Sequence, residues 1–298
     1  MSVNIFSYSA INLANHTSLN FSSPRPELVV AIIKLLGQIR CPPAATTTIN
    51  SRAKHVLIFG GTSGIGLGVA KLSLAASAKV TVSSSSSKRI ESTVQDLKSE
   101  FPNAQLQGHV CDLSKDTIEE DLEALFQKTN QVDHIVFTAT DAPAIMPVQE
   151  ITREKLIAAG QVRFFAAVLV AKIGSRYLSP GPDSSITLTT GTNWEHPMPN
   201  WTAVAGYLGG TCSVARNLAV DLKPIRVNAV SPGLVKTPLW NNLMSEEEQE
   251  KICQFSAAKN PTGRVAQPEE VAEAYLYLMK DTNITGRIVS TDSGALLV

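Results

Sequence analysis

His55-Val56-Leu57-Ile58-Phe59-Gly60-Gly61-Thr62-Ser63-Gly64-Ile65-Gly66 is the stretch that decides the fold. A short run of β-formers enters a glycine-rich turn, and helix-forming sequence from Ile65 to Ala76 follows. Glycines alone are common in turns. Placed between an apolar strand and a helix, they form the arrangement that holds a dinucleotide pyrophosphate. Gly60 allows a tight turn, while Gly64 and Gly66 let backbone N–H groups approach the phosphates and the helix approach the strand. Thr62, Ser63 and Ile65 complete the expected phosphate cradle. The competing reading is a structural turn without a ligand.

Working outward, the same alternation recurs. β-rich runs at Lys79–Ser83, Gln107–Val110, His134–Thr138, Ser185–Thr189, Ile225–Val230 and Arg287–Ser290 are separated by helical stretches. The latter include Ile90–Glu100, Ile118–Lys128, Arg153–Arg176 and Ala203–Leu222. This pattern predicts an α/β protein: a Rossmann-type doubly wound, mostly seven-stranded parallel sheet in a single domain. Ser245-Glu246-Glu247-Glu248 predicts a capping box, and Pro268-Glu269-Glu270 a helix start.

Composition limits the function classes. The 298-residue chain has 26 basic and 26 acidic side chains, so no net field draws nucleic acid or an anionic membrane. A small-molecule substrate is the expected partner. Cys41, Cys111, Cys212 and Cys253 are widely spaced, and no C-x-x-C pair suggests zinc or redox chemistry. Free thiols in a reducing, cytoplasmic setting and no metal are expected. Residues 1–53 contain Glu27 as their single acid and end in a Pro/Thr-rich linker, so the nucleotide-binding domain is set at 54–298. Leu28–Ile39 is apolar but too short to span a bilayer. The extension reads as partly disordered or as a docked short helix, with a transit peptide as the alternative.

The end of the second strand sets the cofactor preference. NAD-selective folds place an acid about 20 residues past the glycines to bind the ribose hydroxyls. Here the segment is Ser83-Ser84-Ser85-Ser86-Ser87-Lys88-Arg89. Hydroxyls from Ser84 and Ser85 and cations from Lys88 and Arg89 suit a 2′-phosphate, which points to NADP(H). A flexible serine loop is the alternative.

From Lys54 to Val298 the chain resembles the short-chain dehydrogenase/reductase superfamily. The glycine loop is similar to its T-G-x-x-x-G-x-G, with Phe59 replacing the threonine. Cys111-Asp112-Leu113 resembles the segment whose Asp holds the adenine. Phe137-Thr138-Ala139-Thr140 occupies the N-N-A-G position and keeps only Ala139. Ile225-Arg226-Val227-Asn228-Ala229-Val230-Ser231-Pro232-Gly233 nearly reproduces the segment leading to the nicotinamide, which implies that Pro232, Gly233, Val235 and Thr237 hold the carboxamide. Thr285-Gly286 and Asp292-Ser293-Gly294 resemble the closing motif. The family is often dimeric or tetrameric, so a homodimer or homotetramer is implied.

The departures concern the chemistry. Family catalysis uses Ser, Tyr and Lys, plus an Asn on the preceding helix. Arg216–Leu222 fixes the register, and the Tyr and Lys positions then hold Val204 and Leu208. The Ser position is Gly191, flanked by Thr190 and Thr192, and the Asn position is Arg163. No Y-x-x-x-K occurs. The chain therefore resembles a Tyr-less branch that includes fungal natural-product reductases, among them reductase/Diels–Alderases of indole-alkaloid pathways.

Replacement groups are expected at the catalytic end in three places. Arg163 interrupts an apolar helix, where a buried cation calls for a partner or a ligand; the alternative is a solvent-facing Arg. Asn193–Trp201 follows the fifth strand, and there Trp194, Met198 and Trp201 predict an apolar wall with Glu195 and His196 as proton-transfer or cation-binding groups. The alternative is an exposed loop with Trp201 used for packing. Arg163 and Glu195 are expected to face one cavity over the nicotinamide. Tyr207 lies only ~60° around the helix from Val204 and is a third candidate, although Gly209 and Gly210 beside it suggest close helix packing. Three functions fit: an NADP(H)-dependent reductase of a carbonyl or iminium, a non-redox isomerase or cyclase that retains the cofactor, or a non-catalytic NADP(H)-binding protein.

Overall fold

In a computed structural model, which describes residues 54–241 and 243–298, one seven-stranded parallel sheet carries the architecture. The docked-helix and transit-peptide readings of residues 1–53 lie outside the described residues. The chain runs β1 (His55–Phe59), α1 (Gly64–Ala75), β2 (Lys79–Ser84), α2 (Ser87–Glu100), β3 (Leu106–Val110), α3 (Ile118–Thr129) and β4 (His134–Phe137). It continues through α4 (Arg153–Gly160), a π-helical turn at Gln161–Ala166, α5 (Ala167–Gly174), β5 (Ser185–Thr189) and α6 (Thr202–Asp221). The last elements are β6 (Arg226–Pro232), α7 (Glu246–Lys259), α8 (Pro268–Lys280) and β7 (Ile288–Thr291). Strand order is β3-β2-β1-β4-β5-β6-β7, so the order reverses between β1 and β4. Ligands bind at the carboxyl edge of such a switch point.

Period-two alternation divides the core in two. On β1, Leu57 and Phe59 face a layer with α3, the π turn and α5, while Val56 and Ile58 face α1 and α8. The stretch Arg153–Gly174 is long and apolar enough to cross a bilayer by length and composition. Its Val162, Ala166, Ala167, Val170, Ala171 and Ile173 instead join the first core layer. The sequence predicts one unbroken helix there, but the helix widens at 161–166. Helix α7 is different in kind, since none of its residues is buried. It is held by the predicted Ser245–Glu248 capping box and by pairs such as Lys236–Glu250 at 3.2 Å and Lys251–Glu247 at 2.6 Å.

Arg226, at the start of β6, is 3% exposed, and its hydrogen bonds go to main-chain carbonyls alone. It donates to Pro182 at 2.6 Å, Leu278 at 2.6 Å, Met279 at 2.9 Å and Ile284 at 3.3 Å. Two of these acceptors lie in the last turn of α8, where helix carbonyls lack intrahelical partners and the dipole favours a cation. The segment that nearly reproduces the family motif thus carries, as its second residue, a structural arginine that ties the sheet to α8. Arg226→Met should lower unfolding stability by about 3 kcal/mol by leaving these carbonyls unpaired. Urea denaturation should read it as a lower midpoint at unchanged slope.

At the same amino edge of the sheet, two strands from Arg226, His134 is buried on β4 with Nδ1 2.9 Å from the Ser185 hydroxyl. Burial is the main cause that pushes its pKa down to about 3, against a pull upward from Asp133. The unfolded chain therefore takes up a proton below about pH 6.5 that the folded chain refuses. Stability from this group should be complete above about pH 6.5 and fall progressively toward pH 3. His134→Gln should make that slope shallower in thermal melts across the range; an unchanged slope would contradict the assignment.

Candidate active site

A cleft of about 600 Å³ runs along the carboxyl edge of the sheet, from the end of β2 to the segment after β6. Its geometry begins where β1 turns. Gly60 adopts φ +80°, and its N–H donates to the Ser83 carbonyl at 2.9 Å. The Thr138 hydroxyl donates to the Phe59 carbonyl at 2.9 Å and so ties β4 to the same turn. A Cβ at Gly66 would overlap both the Gly60 carbonyl and the Thr138 hydroxyl. The sequence assigns Gly66 partly to phosphate approach, but strand–helix packing alone already demands glycine there. Gly64 has φ +51°, and a Cβ there would meet only Thr237, at 3.2 Å.

Gly60, Thr62, Ser63, Gly64, Ile65 and Gly66 line the middle of the cleft. Ser84, Ser85 and Arg89 line one end, with Asp112, Leu113 and Ala139 beside them. Pro232, Gly233, Val235 and Thr237 line the other. These residues fit a dinucleotide. The cleft's middle is backbone and small side chains, and the buried Ser83 hydroxyl that lines it has no hydrogen-bond partner among the described residues. The segment Ser83–Arg89 itself carries no carboxylate, and the Arg89 guanidinium donates to the Ser85 hydroxyl at 3.1 Å. Lys88, expected from the sequence to share this task, is exposed on α2 and does not line the cleft. The helix starts at Ser87, with the Ser86 hydroxyl accepting the Arg89 N–H, and this register turns only Arg89 back toward Ser85.

Asp112 accepts from both the hydroxyl and the N–H of Ser114, and these bonds hold its pKa below the usual carboxylate range. Cys111 lines the cleft as a neutral thiol, pushed up to about 12 mainly by burial, and is an inert wall. Among the described residues no cluster of three His, Cys, Asp or Glu side chains could hold a metal ion.

The end near Pro232 and Thr237 is where the missing family residues would project. Val204 is 1% exposed and Leu208 is 8% exposed, and both line the cleft as apolar wall, as the register predicts. They pack with Trp201, Ala144 and Trp240. Gly191 lies opposite, where an added Cβ would come 3.6 Å from a Leu208 methyl. Thr190 is no free donor, because its hydroxyl is given to the Leu208 carbonyl at 2.8 Å. Thr189 also lines the cleft, its hydroxyl within 2.6 Å of the fully buried Tyr275 hydroxyl.

Arg163 does enter the cleft. Its Nε donates to the Ala159 carbonyl at 3.1 Å and one Nη to the Asp141 carbonyl at 2.8 Å. Burial lowers its pKa and Asp141 opposes that shift, leaving the guanidinium charged. Asp141 is a residue that sequence reasoning misses. It stands at the cleft mouth, where burial raises its carboxyl pKa, Arg163 pulls it down and Asp112 pushes it up. The available signal is its place directly after the N-N-A-G position.

Two expected catalytic residues do not reach the cleft. A 3-10 turn at Thr192–Trp194 directs the following chain outward, with the N–H groups of Glu195 and His196 both donating to the Thr192 carbonyl. Glu195 and His196 are exposed and line nothing, so Arg163 and Glu195 do not converge. Trp194 and Met198 are also exposed; Trp201 and the overlooked Trp240 form the aromatic wall. Tyr207 points away from the cleft, and its hydroxyl donates to the Leu156 carbonyl at 2.9 Å. The ~60° separation from Val204 is enough to move its ring onto α4.

Comparison with known proteins agrees with this geometry. An SDR-like Rossmann domain family matches residues 48–298. The chain belongs to the short-chain dehydrogenase/reductases. It is 41% identical over 253 residues to the short-chain dehydrogenase/reductase malC of Malbranchea aurantiaca, covering 83% of this chain and 96% of that one. It is 40% identical over 250 residues to fsr5 of Gibberella fujikuroi, covering 82% and 94%. The structure of the MalC reductase/Diels-Alderase superposes with a TM-score of 0.79 at 40% identity, covering 83% of this chain and 98% of that one. A small-chain dehydrogenase in complex with NADPH gives 0.67 at 28% identity, covering 83% and 100%.

These contacts separate packing glycines from replaceable ones. Gly66→Ala should destabilise the fold by about 3 kcal/mol or prevent folding, since the overlap is with backbone. Gly191→Ser should shift the melting temperature by no more than ~2 °C, because its new Cβ enters ordinary contact. Differential scanning calorimetry of both variants checks the contrast.

Proposed function

We propose that this chain is an NADP(H)-dependent reductase of a small natural-product intermediate whose acceptor carbon is an iminium or an Arg-activated carbonyl. One observation carries the reading: the positions that would supply the family's proton donor are apolar wall, while Arg163 and Asp141 stand at the same cleft as its charged groups on the substrate side. A neutral carbonyl needs a proton as it is reduced, whereas an iminium carbon accepts hydride without one. When bound, NADPH supplies that hydride from its nicotinamide.

The chain's own residues supply the remainder. Gly60–Gly66 would hold the pyrophosphate, Ser84, Ser85 and Arg89 the 2′-phosphate, and Pro232–Thr237 the carboxamide. Val204, Leu208, Trp201 and Trp240 exclude water from the acceptor and favour a broad, apolar substrate. Asp141 takes the role that the sequence suggests for Glu195, as the carboxylate that attracts a cationic substrate. Arg163 binds an oxygen of the substrate, and its charge opposes the burial that raises the Asp141 pKa. A homodimer or homotetramer belongs to the same reading, supported by the exposed apolar Leu156, Ile157 and Phe165 along one helical stretch.

The test is NADPH oxidation with N-methyl dihydroisoquinolinium as probe iminium, set beside a neutral aryl ketone. The iminium should be reduced and the ketone much more slowly. Asp141→Asn should lower kcat/KM for the iminium by about tenfold to a hundredfold, with NADPH affinity unchanged. Arg89→Ala should weaken NADPH by about tenfold or more while sparing NADH, the effect expected on removing one charge-assisted hydrogen bond. Product formed from a substrate without NADPH consumption would overturn the reductase reading in favour of a cyclase or isomerase.

A further inference from the structure

The π turn that carries Arg163 needs a cause, since Gln161-Val162-Arg163-Phe164-Phe165-Ala166 contains neither Pro nor Gly. Such wide turns cost hydrogen-bond geometry and persist where something outside the helix satisfies the displaced carbonyls. Two carbonyls just before the turn accept side-chain donors: Ala159 from Arg163 itself and Leu156 from Tyr207. The Tyr207 ring lies flush on Gly160, where a Cβ would come within 2.5 Å of its Cζ. It also packs on Phe164 at 5.3 Å and Phe165 at 5.9 Å between centroids. Tyr207 therefore touches the turn's beginning, its middle and the carbonyl before it. Gly210, one helical turn further along α6, admits the Phe164 ring in the same way. Each residue added to a helix rotates the remainder of that helix by about 100°, so relaxing the turn to α geometry would swing Arg163 out of the cleft.

We infer that Tyr207 is the positioning residue for Arg163: its ring and hydroxyl hold the wide turn open from behind and so aim the guanidinium at the substrate. It touches no reacting atom and acts only through that turn. The inference rests on the proposed use of Arg163, but its geometric half stands independently.

Two readouts separate the halves. The first is hydrogen exchange of the amides at 160–166 by mass spectrometry, together with a crystal structure of Tyr207→Phe. That variant keeps the ring and loses the hydroxyl; Gly160→Ala displaces the ring and keeps the hydroxyl. Both should speed exchange in this segment by about tenfold or more, while exchange in β1 and β4 stays unchanged, and the Arg163 to Asp141 carbonyl bond should be lost or lengthened. Unchanged exchange and an unmoved Arg163 would overturn the inference, whatever the activity.

The second readout is reduction of N-methyl dihydroisoquinolinium in a double-mutant cycle. Tyr207→Phe should lower kcat about tenfold in the native background, with NADPH affinity unaltered. In an Arg163→Gln background it should cost nothing further, because groups acting as one unit are non-additive. An equal loss in both backgrounds means a general structural role and overturns the inference. If the native protein does not reduce the probe at all, the functional reading falls while the exchange measurement still decides the positioning.

Discussion

The molecule turns on one close approach, the meeting of Gly60, Gly66 and Thr138 at the point where the strand order reverses. No side chain fits between the first strand's turn and the first helix, and the Thr138 hydroxyl closes the gap by bonding the Phe59 carbonyl. This contact fixes the angle at which α1 leaves the sheet. It thereby fixes where the N–H groups of the loop point and how α1 lies against α8 in the second core layer. The phosphate cradle is a by-product of packing, so a ligand-free chain must already form it.

The chemistry is arranged differently from the fold. The cradle, the sheet and Arg226 are held by backbone contacts that leave little choice of residue. The substrate end is held by side chains in ordinary contact: Val204 and Leu208 packed with Trp201 and Trp240, and Gly191 facing Leu208. In the proposed reaction their apolar character offers no proton donor, and Arg163 and Asp141 supply the charge. Electrostatics at this end comes from two residues on different elements, brought together by a hydrogen bond from one side chain to the other's main chain.

Most of the architecture was legible because its signals are local. Apolar runs of five to six residues between capped helices place the strands within a residue or two, and β1 and β5 begin and end where read. The apolar identities of positions 204 and 208 followed from helical register and held. What failed lay in loops and in one irregular turn. Glu195 looked catalytic because it follows β5, but a single 3-10 turn at Thr192 decides whether the next residue points inward, and composition does not encode that choice. Lys88 and Arg89 are adjacent and chemically alike, and only the Ser86 cap tells which one returns to the cleft. Asp141 escaped notice because its importance depends on Arg163, which is 22 residues away and reaches it only through a π turn with no sequence signature.

Helix α7 stands apart from this pattern of contacts. It has no buried residue, and the capping box, the Lys251–Glu247 pair and Lys259 over the Phe255 ring at 4.2 Å are its own contacts, while the solvent-screened Lys236–Glu250 pair reaches out of the helix. Exposed pairs of this kind contribute a few tenths to about 1 kcal/mol each. Detaching the helix therefore costs far less than unfolding the sheet, and the two events are thermodynamically separate. The helix follows directly on the segment that carries Trp240 into the cleft. The chain thus concentrates its stability in the sheet and its two buried layers and leaves α7 as an element that can fray with little disturbance to them.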